Sequence, residues 1–280
     1  MALAQETAPP KPTTPPQEPP TTTQPTQTPA PAPTPASSKS GYDPSETPFS
    51  IEAFGFKAND NPDLFGGKKS FDQSAQTFHD LGKTRFAVGG RLSFPVRSGN
   101  TLEVTGFQVR GRGSGIAPQA LTLFGSTFAK GDLISDSYAI RSLKVTFNYL
   151  SFPAPPGDRK IRLKTLYELQ YSTFKARYSS KSEASEISAI GNKSLFLPTF
   201  GLGLSYLASK NFHIEMRGSG FGFPHKSATW DAEATAVIRA GRIDVIVGGK
   251  GFYLKTSTNS EQYYRAMLLG PFAALRYSFR

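Results

Sequence analysis

The chain of 280 residues contains no cysteine. In an exported protein that excludes a disulfide framework, and it excludes a lipid-modified N-terminal cysteine as an anchor. No stretch reaches the ~18 consecutive apolar residues that a membrane-crossing helix needs. Strand-based spans survive this test, because their signal is alternation and not a solid block. Histidine (3), methionine (3) and tryptophan (1) are scarce. There is no HExxH, no cysteine pair and no Asp-rich calcium loop, so no metal site and no cofactor are expected. The start lacks the charged and apolar regions of a signal peptide, yet Ala2 and Ala4 match the small-residue box before a signal-peptidase cut. We read an exported protein numbered from near its cleavage site, with Met1 as a replacement start; the alternative is a chance match in an Ala/Pro-rich tail.

What is present divides the chain unequally. Residues 1–48 hold most of the 23 prolines, many threonines and glutamines, and hardly any large apolar side chain. Such a segment cannot bury enough surface to offset its conformational entropy, and it reads as a disordered tail. Its 5–40 stretch favours polyproline II, and some 40 residues would reach on the order of 120 Å when extended. Either a tether to a cell-wall or envelope partner, or a spacer with no partner, fits this composition. Residues 49–280 are rich in Gly, Phe and Tyr and form the folded domain. The net charge of +11 lies in that domain, since Glu6, Glu18, Asp43 and Glu46 outweigh Lys11 and Lys39 in the tail. The domain's positive charges stand singly along alternating segments and not in a stripe, so nucleic acid is not an expected partner.

Alternation marks about ten strands. The first is 49–58 (FSIEAFGFKA), followed by a long loop at 59–83. In 84–94, Phe86, Val88, Leu92 and Phe94 alternate with Arg85, Ala87, Arg91 and Ser93. The third strand, 101–110, changes phase at Gly106, where Leu102 and Val104 give way to Phe107 and Val109; a β-bulge is expected there. An excursion at 111–136 contains LTLFGSTFAKG, which predicts a hairpin of its own. Strands at 137–152 and 159–174 follow, then a Ser/Lys/Glu-rich loop at 175–191. Strands at 192–207, 211–223, 229–240 and 242–255 complete the set before the last. Short turns at 95–100, 153–158, 208–210 and 240–242 alternate with longer connections at 111–136 and 175–191, as in outer-membrane barrels.

The last strand, 262–279 (QYYRAMLLGPFAALRYSF), places Met267, Leu269, Pro271, Ala273, Leu275, Tyr277 and Phe279 on one face. The other face carries Ala266, Gly270, Ala274, Arg276 and Ser278, and reads as small or polar. This stretch resembles the C-terminal assembly signal of bacterial outer-membrane β-barrels: a glycine, alternating hydrophobics, then a terminal aromatic. It departs from that signal in having Arg280 after Phe279. By pattern, 49–280 looks like the small OmpA-type and porin-like barrels. The resemblance implies an all-β, antiparallel up-and-down transmembrane barrel with outer-membrane lipid around it. It also implies recognition of the last strand by the barrel assembly machinery. An even strand count puts both termini in the periplasm, with the tail there and the long loops outside.

With apolar faces toward lipid, the lumen would collect Arg85, Arg91, Lys144, Arg162, Lys164, Arg217, Arg239, Lys250 and Arg276. Against them stand Glu168, Glu215, Asp231, Glu233 and Asp244, with His213 beside Glu215. So many charges would be costly in an apolar core but suit a polar lumen. Tyr149, Tyr167, Tyr206, Trp230, Tyr277 and Phe279 read as interfacial girdles. His225-Lys226-Ser227 is similar to the His-x-Ser of lipid A deacylases, but Ala228 replaces the asparagine that follows it in that family. His79-Asp80, and His225 with Asp231, faintly resemble the His–Asp pair of omptin-type proteases. No residue is singled out as catalytic. The expected role is an envelope anchor or interaction protein with a mostly plugged lumen. A narrow anion-preferring pore is the alternative, and a lipid or peptide hydrolase is third.

Overall fold

The computed structural model describes residues 48–59, 63–67, 83–84, 86–153, 159–181, 186–223, 227–257 and 263–279. The chain runs through β1 (Ser50–Phe56), β2 (Asp63–Gly67), β3 (Lys83–Thr84), β4 (Ala87–Pro95), β5 (Thr101–Ile116), β6 (Leu121–Leu123) and β7 (Ser126–Phe128). It continues through β8 (Leu133–Phe152), β9 (Ile161–Lys181), β10 (Glu186–Leu207), β11 (Phe212–Gly222), β12 (Ala228–Ala240), β13 (Ile243–Lys255) and β14 (Tyr263–Ser278). Sequential neighbours pair antiparallel in the order β1-β4-β5-β8-β9-β10-β11-β12-β13-β14, and β14 pairs back to β1. The result is a closed, up-and-down, ten-stranded barrel. Closure removes the exposed edges that an open sheet of this size would leave. The seam runs in register from Ser50 opposite Ser278 to Phe56 opposite Phe272. β2 extends β1's pairing on β14, and β3 extends β4's pairing on β5, with small offsets where the long connection leaves.

Both described termini lie at one end, here called the terminal end, together with the short turns at 96–100, 208–211 and 241–242 and with the ends of β8 at Phe152 and β9 at Ile161. The opposite, far end is built by strands that outrun the sequence-based expectation. β9 reaches Lys181 and β10 begins at Glu186, so the loop expected at 175–191 is mostly paired strand. Its Ser- and Lys-rich composition signals water outside the strands and not absence of pairing. The hairpin expected within 111–136 exists as β6–β7, but β5 continues to Ile116 before it.

The bulge expected at Gly106 is absent. Gly90, Gly106 and Leu143 lie opposite one another, and the register is continuous on both sides of β5. A register shift occurs instead between Leu150 and Phe152, at the terminal end of β8. The change of phase along β5 has another origin. Leu102 faces outward and Thr105 inward, but beyond Gly106 Phe107 and Val109 are buried while Arg110 and Arg112 are exposed. β8 does the same: Leu143, Val145 and Tyr149 are exposed toward the terminal end, whereas Tyr138, Ile140 and Ile134 are buried toward the far end. On β9, Tyr167, Leu169 and Tyr171 point out, then Phe174 and Ala176 point in. The period of two never breaks; the apolar residues exchange faces. The exchange follows one hydrogen-bonded row across four strands, Gly106–Leu143–Tyr171–Phe196.

Candidate functional site

The lumen has two layers, and the first candidate residues fall in the one nearer the terminal end. Alternation on β4, β8, β9, β11, β12 and β13 sends every second side chain inward. Arg91 pairs with Glu52 at 3.1 Å and with Glu233 at 3.1 Å. Glu233 also takes Arg217 at 3.3 Å and Lys250 at 3.2 Å. Lys250 reaches Asp231 at 3.0 Å, and Asp231 lies 3.5 Å from Lys144. Lys144 meets Glu168 at 3.3 Å, whose carboxylate also accepts from Thr146 at 3.1 Å and Thr199 at 2.7 Å. A second branch runs from Glu52 to Arg276 at 2.9 Å, then to Glu215 at 3.4 Å and Asp244 at 3.8 Å. Asp244 holds Arg239 at 2.8 Å, and His213 sits 3.1 Å from Glu215.

Of the expected lumen set, Arg91, Lys144, Glu168, His213, Glu215, Arg217, Asp231, Glu233, Arg239, Asp244, Lys250 and Arg276 therefore meet in one network. Arg162 is buried on the inner face of β9, and Lys164 lines a cavity nearer the terminal end. Arg85 lies outside the described residues. Two acids were missed. Glu52 joins Arg91 and Arg276, and Glu103 takes Arg217 at 3.0 Å. Their signal was available, since Glu52 alternates with Ile51 and Ala53, and Glu103 with Leu102 and Val104. With them included, positive and negative charges nearly balance, and the basic excess expected of the lumen shrinks.

The second layer is apolar and was not foreseen. Phe54, Phe56, Phe107, Val109, Tyr138, Ile140, Phe174, Phe252, Leu254, Tyr264, Leu268 and Phe272 are buried together within the barrel. The inner face of β14, expected to be small or polar, thus carries Tyr264, Leu268 and Phe272. Phe107 stands edge-on to Phe56 at 5.8 Å and to Phe252 at 5.1 Å between ring centroids. Phe174 lies 4.2 Å from Tyr264. Glycines make the room: a Cβ at Gly111 would run into the Tyr138 ring, and one at Gly191 into the Tyr264 hydroxyl. The layers are joined by Lys250, whose Nζ lies 5.7 Å from the Phe107 ring centre and 5.9 Å from that of Phe54. Beyond the plug, the β6–β7 hairpin packs Leu121, Leu123 and Phe128 with Ile134 and Ala189.

Exposure grades along the bore. Lys250 is 1% exposed beneath the plug, whereas Arg217 is 17% and Glu215 32% exposed in side chain. A cavity of about 80 Å³ opens among Ser50, Ser93, Glu103, Lys164, Glu215, Arg217 and Arg276. Among the described residues the polar vestibule thus leads inward to the salt-bridge network and then to the aromatic rings.

On the outer surface, Tyr149, Tyr206, Tyr277 and Phe279 are exposed at the terminal end. Phe279 adjoins Tyr277 at 4.8 Å and Phe49 at 5.1 Å, and Phe49 adjoins Phe94 at 5.2 Å. Trp230 stacks on Tyr253 at 5.9 Å near the opposite ends of their strands. Tyr167 departs from the girdle expectation: it lies six residues inside the terminal end of β9, edge-on to Phe200 at 6.2 Å. His79, Asp80 and His225, like residues 1–47, lie outside the described residues.

No family model and no curated protein matches the chain. Among solved structures it is similar to the outer membrane protease OmpT of Escherichia coli, at 10% identity and a TM-score of 0.47, over 82% of this chain and 97% of that one. It is similar to the translocator domain of the autotransporter NalP of Neisseria meningitidis, at 13% identity and TM-score 0.43, over 83% and 89%. The outer membrane protein OprG of Pseudomonas aeruginosa matches at 10% identity and TM-score 0.28, over 84% and 97%.

Proposed function

We propose that this protein is a sealed outer-membrane barrel that serves as an envelope anchor, with a periplasmic tail and an interaction surface at its far end. The observation that carries this reading is the exchange of faces. On β5, β8, β9 and β10 the outside toward the terminal end is apolar and the inside polar or charged, the arrangement that hydrocarbon demands; toward the far end the inside turns apolar and the outside polar apart from Ile116, Leu133 and Ile190, as water demands. The outward apolar stretches of β9 and β10, at 161–171 and 196–206, are each of the length a tilted strand needs to cross about 25 Å of hydrocarbon. The short-turn end is then periplasmic, which gives the tail at 1–48 a place to tether an envelope partner. β14 is the segment offered to the barrel assembly machinery.

The test is refolding of the full chain in detergent, followed by heat-modifiable gel mobility and conductance in a planar bilayer. Heat-modifiable migration without conductance is expected. A chain that stays soluble without detergent would sink the membrane reading. Steady anion-selective steps would replace the anchor by the narrow-pore reading, which is favoured by Lys164, Arg217 and Arg276 on the vestibule wall. That reading requires the aromatic plug to move, and Glu103 and Glu215 on the same wall weaken its anion preference. The hydrolase reading rests on His225 and Ser227, and a hydrolytic activity lost in His225→Ala would support it.

A further inference from the structure

We propose that the outer faces of β5, β8 and β9, just beyond the apolar band, form a binding site for the phosphate group of a membrane lipid. This rests on the membrane reading above. Beyond the row Gly106–Leu143–Tyr171–Phe196, the next outward rows are Gln108–Arg141–Thr173–Ser194, Arg110–Ala139–Lys175–Asn192 and Arg112–Ser137–Arg177–Ile190. Arg110, Arg112, Arg141, Lys175 and Arg177 are all exposed and share this one face. Between the apolar band and the rim, the described outward positions of β5, β8, β9 and β10 carry no carboxylate until Glu186. Arg110 meets the amide oxygen of Gln108, once that amide is oriented to satisfy both partners. This contrasts with the lumen, where every arginine of the network described above meets a carboxylate.

The spacing suits a tetrahedral anion. Strands lie ~4.8 Å apart, so Arg110 and Lys175, on either side of β8, are separated by about 10 Å. The residue between them is Ala139, and Ser137 lies between Arg112 and Arg177. Small side chains flanked by long cationic ones leave a shallow seat that the cations can close over. Guanidinium groups bind phosphate oxygens bidentately, and the ammonium of Lys175 adds a compact charge. Directly toward the terminal end, Leu143, Val145, Tyr171, Leu169 and Phe196 are exposed. Acyl chains of a lipid whose phosphate occupies the seat would lie along them. Cations crowded on a face that carries no acid among its described residues also repel one another, a cost that an anionic headgroup relieves.

The experiment uses the full chain in neutral detergent micelles, with retained lipid read by native mass spectrometry. The probes are phosphatidic acid, phosphatidylcholine with the same acyl chains, and inorganic phosphate. The variant is the combined Arg110→Gln, Arg141→Gln, Lys175→Gln and Arg177→Gln. A control removes exposed cations near the terminal end, Lys160→Gln, Lys210→Gln and Arg242→Gln. Phosphatidic acid should be retained over phosphatidylcholine, about tenfold or more less tightly by the first variant, and unchanged in the control. Equal retention by both variants overturns the proposal. Displacement of phosphatidic acid by equimolar inorganic phosphate overturns the lipid source and leaves a free-phosphate site. A chain that needs no detergent is recognised before any lipid is added, and marks failure of the membrane reading itself. A detergent-requiring chain with indifferent variants marks failure of the lipid site alone.

Discussion

On either side of the row Gly106–Leu143–Tyr171–Phe196, the same strands bury opposite kinds of residue. On the terminal side they enclose Thr105, Lys144, Thr146, Glu168 and Thr199 and expose Val145, Tyr149 and Leu169. On the far side they enclose Phe107, Tyr138, Ile140 and Phe174 and expose Arg110, Arg141, Lys175 and Arg177. Backbone geometry does not differ between them, since the register is continuous through the boundary. What differs is the solvent that the outside is built for. In water, apolar burial drives the inside of a barrel toward a core; in hydrocarbon that gradient vanishes, and the inside is free to hold charge provided each charge is paired.

The comparison can be broken from either half. Glu233 accepts from Arg91, Arg217 and Lys250, so Glu233→Ala strands three cations in the lumen. We expect a loss of about 3–5 kcal/mol in denaturant unfolding from micelles. A change below about 1 kcal/mol would mean that the charged layer does not hold this half together. On the far side, Phe107→Ala removes the ring between Phe56 and Phe252 and is expected to cost about 3 kcal/mol or more. If the rings are also what blocks the bore, this variant should conduct where the parent does not.

The outer faces offer a paired test of the boundary. Val145 is exposed two residues to the terminal side of Leu143, and Ala139 lies four residues to its far side. Val145→Arg should cost about 2–4 kcal/mol in bilayers, and Ala139→Arg about 1 kcal/mol or less. Equal costs would erase the boundary.

The smallest effect concerns Asp136, seven residues beyond Leu143 on the far side. Burial pushes its carboxyl up from the ordinary 3.8 to about 6, against the backbone N–H groups of Asp136 and Gly113, which favour the charged form. Tyr178 is its cross-strand neighbour and Tyr264 packs in the same apolar layer. A raised carboxyl means that the folded state holds the proton more tightly. Stability then falls as pH rises from about 4 to about 6, and the penalty stays constant above. Asp136→Asn should therefore be more stable than the parent at pH 8 by about 1–3 kcal/mol, and equal to it at pH 3. Unfolding midpoints at the two pH values decide it. An Asn variant that is no more stable at pH 8 would show that the carboxylate is not penalised there.

Much of the fold was legible because one signal, alternation, was repeated ten times and ended in a C-terminal strand of recognisable pattern. Arg91, Lys144, Glu168, Glu215, Arg217, Asp231 and Lys250 were found inside because their strands carry clean apolar faces opposite them. Glu52 and Glu103 were passed over although they obey the same rule. The strand ends were misjudged where polar residues such as Lys175 and Arg177 face outward, because polarity was taken for a loop. The phase change at Gly106 was taken for a bulge, because a bulge and an exchange of faces leave the same trace in one strand.

Sequence by itself determined the strand class, the period and, through that period, which residues share a face; these are local properties of an extended chain with side chains on alternate sides. Which face is inside at each height was decided only by the tertiary structure. The exchange is visible when Gly106, Leu143, Tyr171 and Phe196 are seen to be neighbours, although they lie far apart along the chain. The ion pairs were decided there too. Arg91 and Glu233 are 142 residues apart, and no spacing in one chain announces a contact that exists only because the sheet closes.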